Sequence, residues 1–538
     1  MITRTRRTLP TPRCSTAWWL TALLLAGCGG GGDGVAVPPG ADRVAALQAD
    51  DDDDDDDRRP LGCRTTTSVE TPMQSVRSKA LALTFAAVLA ACGGGGGGDG
   101  GNDGGNDGGN GGGNGGSSPP PPPPPAPSGS VADEIVVQLR TGVDVNALAA
   151  ANGLSVIDQF GRRPIWRLRV AAGADRDARI DALRTDPGVL FAEPNAENET
   201  PEGRRRSGWA VGGDAGTYAT QWAPATLRLS EAHTVSLGTG MRVAVLDTGI
   251  DLSHPAFSGK LARTGGGALL GRDFVDDDAD PSEAGSDTDL GYGHGTHVAG
   301  LVSLVAPAAT LMPARVLDAQ GRGNVWVLAE ALLWAADPDA NPASDDGAHV
   351  INLSLGTTQT TNLLRTAVAL ADCDFDDDDD EFEDPGFDDD KARCANKYGA
   401  VVLAAAGNDG SSTQLQFPAA EAVPGSLSVA ASTEARTLAG FSNFGSWVEI
   451  AAPGDRIIST FPGGGYATWS GTSMASPLAA GTAALVLATL SDPRGVLPLD
   501  ITNRLLARSA PLCGTSTLRQ IDAAAAVTDN QAPEPPCP

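Results

Sequence analysis

Two stretches of the chain carry regular patterns of hydrophobic and polar positions, and the two patterns differ. Between Glu134 and Asn198, strand-length apolar runs occur at Ile135 to Leu139, Ser155 to Phe160, Ile165 to Val170 and Val189 to Ala192, with helical spacing at Val145 to Ala151 and Asp175 to Arg184. The order βαββαβ predicts a small α+β module of ferredoxin-like type. From Met241 onward, longer helical patterns alternate with apolar runs. Strands are expected at Met241 to Leu246, Thr310 to Val316, His349 to Leu353 and Ala400 to Ala405, and helices at Thr296 to Leu304, Val325 to Ala336 and Asn362 to Ala371. A further apolar helix, capped by Ser473, runs to about Leu490. Strands without polar alternation, each followed by a helix, predict an α/β fold with a parallel sheet covered by helices on both faces.

Composition limits where a core can lie. Although the chain has 538 residues, Gly93 to Ser130 is almost wholly Gly, Asn, Asp, Ser and Pro. It reads as a flexible spacer followed by a stiffer polyproline piece at Pro119 to Pro125. The net charge of -29 argues against nucleic acid and anionic lipid as partners. Much of it sits in Asp50 to Asp57 and in an insert from Asp374 to Asp390, both read as solvated, disordered runs that favour solubility.

The basic segment Met73 to Lys79, the apolar Ala80 to Ala91 and Cys92 have the layout of an export signal. Leu89-Ala90-Ala91-Cys92 resembles a bacterial lipobox, which implies lipidation of Cys92. A similar device ends in Leu25-Ala26-Gly27-Cys28, making Cys28 the alternative anchor; the duplication points to a true start at Met73. Both apolar stretches are too short for ordinary spanning helices. The expectation is an exported protein of the bacterial cell envelope, lipid-anchored at the outer membrane, or else secreted. Four of the eight cysteines follow the spacer, and four allow three connectivities. Cys373 with Cys394, bracketing the acidic insert, and Cys513 with Cys537 are the expected pairs in an oxidising compartment, free thiols being the alternative.

The chemistry lies in three blocks. Asp247 ends an apolar strand in Asp247-Thr248-Gly249, His294 opens His294-Gly295-Thr296-His297, and Ser473 lies in Gly471-Thr472-Ser473-Met474-Ala475-Ser476-Pro477 before the last apolar helix. A serine hydroxyl is a weak nucleophile at neutral pH. It needs an imidazole to take its proton and a carboxylate to orient that imidazole. The order Asp, His, Ser differs from that of chymotrypsin and of the hydrolases with a nucleophile elbow. His297 is read as a packed structural histidine, since the pair with His294 lacks the His-Glu-x-x-His pattern of a zinc site.

These blocks resemble the signatures of the subtilisin-like serine peptidases, over roughly Trp222 to Val527. Val401 to Asn408 strengthens the likeness, because it is a buried strand ending where that family keeps its oxyanion-hole asparagine. The resemblance implies an Asp247, His294, Ser473 triad working through an acyl-enzyme, with Asn408 and the backbone N–H of Ser473 stabilising the oxyanion. Loss of such a donor is worth about a hundred- to a thousandfold in turnover, a range that comes from subtilisin itself. Ser354-Leu355-Gly356 resembles the segment that pairs with substrate backbone, and Ala404 to Gly407, including Ala405 and Gly407, would form the opposite wall of a specificity pocket of broad or apolar-leaning preference.

The first module resembles the inhibitor-like propeptides of the same family. The implied layout is a signal region at 1–92, a linker at 93–130, a propeptide at 131–200, a connector with the processing site at 201–220, a peptidase domain at 221–528 and a tail at 529–538. The connector holds Arg204-Arg205-Arg206, and the bond cut within it stays open. The expected partners are polypeptide substrates, the chain's own propeptide as intramolecular inhibitor and the membrane through a lipid anchor, in a monomer. No cofactor is required for the chemistry. The metal content is unknown: structural calcium is an open option, because Asp276, Asp277, Asp278, Asp280, Asp287 and Asp289 crowd one loop and offer oxygen ligands, yet lack EF-hand spacing. The alternative from another class is a catalytically silent surface or binding lipoprotein that retains the fold.

Overall fold

The computed structural model describes residues 129–205, 210–375, 382–395, 399–421, 423–514, 517–533 and 537. Cys28, Cys92, both export signals and nearly all of the Gly/Pro spacer lie outside the described residues. So do Arg206 and part of the acidic insert.

The first module has the expected βαββαβ order: β1 (Ser130–Leu139), α1 (Val145–Asn152), β2 (Leu154–Gln159), β3 (Ile165–Val170), α2 (Arg176–Arg184) and β4 (Val189–Glu199). Asp144 and Asp175 accept hydrogen bonds from the first turns of α1 and α2, and Gly153 ends α1 in the left-handed region at φ 66°. The strands pair antiparallel in the order β2-β3-β1-β4. Alternate residues of β1 divide between two cores: Ile135, Val137 and Leu139 pack under α1 and α2, whereas Val136 faces the larger domain. β4 runs past the expected end at Ala192, and a five-residue helix, α3 (Pro201–Arg205), follows it.

The larger domain contains β5 (Arg242–Asp247), α4 (His294–Val305), β6 (Thr310–Arg315), β7 (Arg322–Asn324), α5 (Val325–Ala336) and β8 (Val350–Leu353). After these come α6 (Asn362–Asp372), β9 (Val401–Ala405), β10 (Ser426–Ser432), β11 (Ile450–Pro453) and α7 (Thr472–Leu487). Its sheet runs β11-β10-β9-β8-β5-β6, all parallel, with short strands on both flanks. Val243 and Val245 of β5 join the core beneath α4 and α7, while Ala244 and Leu246 join the one beneath α5 and α6. Burial on both faces explains why these strands read as unbroken apolar runs.

β4 joins the two domains. Its last residues, Glu197 to Glu199, pair antiparallel with β7, so the small sheet continues into the larger domain. Glu193 Oε2 accepts from the backbone and side-chain nitrogens of Asn362 at 2.8 and 2.9 Å, and its Oε1 accepts from Leu363 N at 3.0 Å. A carboxylate from the first module therefore satisfies free N–H groups at the start of α6. Asn195 Oδ1 accepts from Trp326 N at the start of α5 at 3.1 Å.

The acidic insert departs from the expected solvated run. Its described part forms a turn and the helix Asp388–Ala395, with Phe382 and Phe387 buried. Asp390 takes two hydrogen bonds from Arg163 in the β2–β3 turn, at 2.6 and 2.8 Å. Asp389 pairs with Arg162 at 3.0 Å, and Thr141 donates to Asp384 at 2.7 Å. The disulfides join Cys373 to Cys394 and Cys513 to Cys537. No helix among the described residues is long and apolar enough to cross a membrane.

Candidate active site

The chemistry-bearing residues collect at the carboxyl ends of the parallel strands, where open α/β sheets place their sites. Asp247 is the last residue of β5, Ser354 follows β8, and Asn408 follows β9. Gly293, in the left-handed region at φ 84°, turns the chain so that α4 begins with His294. The next residue must be small, since a Cβ on Gly295 would lie 2.1 Å from the carbonyl oxygen of Gly249.

His294 Nδ1 lies 2.7 Å from Asp247 Oδ1, which also accepts from Thr248 N at 2.8 Å. The edge of Trp469 closes the imidazole from one side at 5.4 Å between ring centroids. Ser473 is fully buried and is the second residue of α7; the cap position belongs to Gly471, one correction to the sequence expectation. The helix ends at Leu487, short of Leu490.

Pro477, inside α7, has no N–H to give to the carbonyl of Ser473 four residues earlier. Ser354 Oγ fills that gap, donating to Ser473 O at 2.9 Å, and Asn352 Nδ2 donates to Ser354 Oγ at 3.0 Å. Asn408 is oriented by Thr472, whose N and Oγ1 both donate to its Oδ1 at 2.9 Å. That leaves the Asn408 amide nitrogen facing the space beside Ser473.

A carboxylate fills this space. Glu202, from α3, accepts from Ser473 Oγ at 2.7 Å through Oε2 and from Asn408 Nδ2 at 2.8 Å through Oε1. His294 Nε2 lies 3.2 Å from the same Oε2. A Cβ on Gly471 would stand 1.8 Å from Glu202 Oε1, so the absence of a side chain there makes the room. Burial alone would lower the His294 pKa, but Asp247 and then Glu202 raise it to about 10. His297 is pushed the other way, to about 3, by burial and by His294; its Nε2 faces the carbonyls of Ile457 and Ala467, consistent with a packed structural residue. Burial raises Glu283 to about 8 beside Asp247, despite hydrogen bonds from Thr248 and Thr296.

Asp247, His294, Ser473 and Asn408 thus converge, with Ser354 beneath them. Gly356 exchanges backbone hydrogen bonds with Glu199 at 2.9 and 3.0 Å, while Leu355 and Ala405 are fully buried. Gly407, at φ 97°, donates its N–H to Thr472 Oγ1 at 3.0 Å. The loop aspartates are engaged locally: Asp276 with Arg315, Asp277 with Arg272, Asp280 with Ser282 and Asp289 with Gln320. Among the described residues, the group of three carboxylates whose oxygens all lie within 4.8 Å of one another is Asp337, Asp339 and Asp346, outside that loop. Sequence reasoning missed Glu202 and Trp469. Glu202 is one glutamate in a polar connector and carried no signal; Trp469 ends an apolar stretch just before the serine block and could have been noticed.

The subtilase family profile matches residues 238–520. The chain belongs to the subtilase family. A fervidolysin N-terminal prodomain profile matches residues 125–195. The thermophilic serine proteinase of Bacillus sp. (strain AK1) is 34% identical over 371 residues, spanning 66% of this chain and 78% of that protein. Thermitase of Thermoactinomyces vulgaris is 35% identical over 276 residues, 49% of this chain and 81% of its own. The crystal structure of fervidolysin from Fervidobacterium pennivorans, a keratinolytic enzyme related to subtilisin, shares the fold, with TM-score 0.56 and 22% identity over 77% of this chain and 62% of that one. This subtilase is therefore a subtilisin-like serine peptidase with an N-terminal prodomain, an organisation consistent with a zymogen.

Proposed function

We propose that this subtilase is an exported serine endopeptidase, held in the cell envelope by a lipid on Cys92, that matures by cutting its own connector. Ser473 Oγ attacks the scissile carbonyl while His294 Nε2 takes its proton, and Asp247 holds the imidazole and balances its charge. The Asn408 amide and the Ser473 N–H receive the oxyanion. His294 then returns the proton to the leaving amine, and water attacks the acyl-enzyme by the same route in reverse. Extended substrate pairs with Ser354 to Gly356, and an apolar-leaning side chain before the cut faces Ala404 to Gly407. The propeptide spans 131–200 and the peptidase domain 221–528, which acts as a monomer.

The observation that carries this reading is the convergence of a hydroxyl, an imidazole backed by a carboxylate, and an amide donor on one small anionic group. Calcium as a structural ion rests only on oxygen-rich loops. The test follows the chain and its Ser473→Ala form by intact mass in an exporting host. The parent should lose the propeptide and the variant should keep it. Equal maturation of both would overturn the assignment of Ser473.

A further inference from the structure

The connector enters the substrate cleft as substrate would and then leaves it. Glu199 exchanges two backbone hydrogen bonds with Gly356, and Thr200 N donates to Gly321 O at 3.0 Å. An extended chain would next bring a peptide carbonyl to Ser473. Pro201 instead starts α3, and the Glu202 side chain arrives there in place of a peptide bond.

We propose that Glu202 is a side-chain plug of the catalytic centre, a carboxylate set where the scissile carbonyl belongs, which keeps the uncut chain latent until α3 unwinds and withdraws it. The proposal rests on the triad assignment above. Three properties make the contact inhibitory. An ionised carboxylate resists nucleophilic attack, so Ser473 has nothing to acylate. Its Oε1 occupies the Asn408 donor that the oxyanion needs. Its Oε2 accepts from both Ser473 and His294, so with Asp247 on Nδ1 the imidazole donates from both nitrogens and carries its proton. A protonated His294 cannot act as general base.

Among the described residues, the ionisable groups facing this centre are few. They are Asp247 on β5, Glu283 beside it on the loop before α4, His297 on α4 and Glu202 itself; α7, β8 and the turn after β9 contribute Ser473, Ser354 and Asn408. Within that set the raised pKa of His294 accords with two flanking carboxylates. Removing the charge at Glu202 should shift the onset of Ser473 reactivity to lower pH, where a merely structural contact would leave it unmoved.

The experiment compares fluorophosphonate labelling of the uncut full chain, resolved by intact mass from pH 6 to 10, for the parent, Glu202→Gln, Glu202→Asp and Ser473→Ala. Glu202→Gln should label at least tenfold faster than the parent at neutral pH. Glu202→Asp, which keeps the charge on a shorter stem, should also be faster, and the parent rate should climb toward pH 10. Equal rates for parent and Glu202→Gln, or no labelling of either, would overturn the plug. Labelling of Ser473→Ala at the parent's rate would instead overturn the triad assignment.

Discussion

The contact between Arg163 and Asp390 gives the acidic insert a measurable task. Arg163 is 16% exposed and Asp390 6%, and two charge-assisted hydrogen bonds of 2.6 and 2.8 Å join them. Such bonds contribute about 1.5–3 kcal/mol each where water is excluded, and partial exposure of the arginine reduces this. A coupling of about 2 kcal/mol is expected for the pair. Single removal of Asp390 should cost more, about 3 kcal/mol, because it leaves the mostly buried Arg163 without its carboxylate. Arg393, buried in the same helix and influenced by both residues, would then face Arg163 without the anion between them. Asp390 also lies in the first turn of its helix, where a carboxylate is favourable on its own account.

A double-mutant cycle separates these contributions, since the helix effect of Asp390 and the stacking of Arg163 over Phe160 cancel from the coupling. Urea unfolding of Arg163→Ala, Asp390→Ala and the double variant, all in the Ser473→Ala chain to prevent cutting, gives the value directly. A coupling below about 0.5 kcal/mol would place this pair with ordinary surface ion pairs. The insert would then be a solvated appendage, as its composition alone implies.

Two further changes test the centre itself. Ser354→Ala removes the donor that serves the Ser473 carbonyl and should lower stability by about 1–3 kcal/mol together with turnover; a urea midpoint and kcat both within error of the parent would refute the role given to Ser354. Burial raises Glu283 to about 8 from an ordinary carboxyl value, so the folded state binds more protons than the unfolded state between about pH 4.5 and 8. Stability should fall with rising pH across that window. Glu283→Gln should flatten the fall, which melting curves at pH 5 and pH 8 would show.

The parts of this protein that sequence reveals are those where burial or chemistry forces residue choice. β5, β8 and β9 are covered on both faces and admit few polar side chains, so their positions could be read to within a residue or two. Asp247, His294 and Ser473 stood out because each sits in a block of small residues that close packing demands, as Gly295 shows. The polar segment Glu193 to Glu199 gave no strand signal. Glu193 to Ala196 pair with β1, and the larger domain supplies the remaining partners: β7 and Gly356 for the backbone of Glu197 to Glu199, and the starts of α5 and α6 for the side chains of Asn195 and Glu193. The insert was misjudged for a related reason. Its order depends on Phe382 and Phe387, on the Cys373–Cys394 bridge and on arginines some 227 positions away in sequence.

One consequence concerns how latency ends. β4 holds the α5 and α6 N-termini, the β7 edge and Gly356 through residues that all precede Thr200, whereas Glu202 follows it. A cut in the connector after Thr200 would detach Glu202 from the grip of β4 while leaving every one of those contacts in place. The plug and the grip are thus separable: the first governs whether Ser473 is reactive, the second whether extended substrate can reach it. Glu202→Gln should accordingly unmask Ser473 to a small reagent while the cleft stays closed to a protein substrate. Arg163→Ala removes a contact of the first module that involves neither β4 nor Glu202 and should leave small-reagent labelling of the uncut chain unchanged.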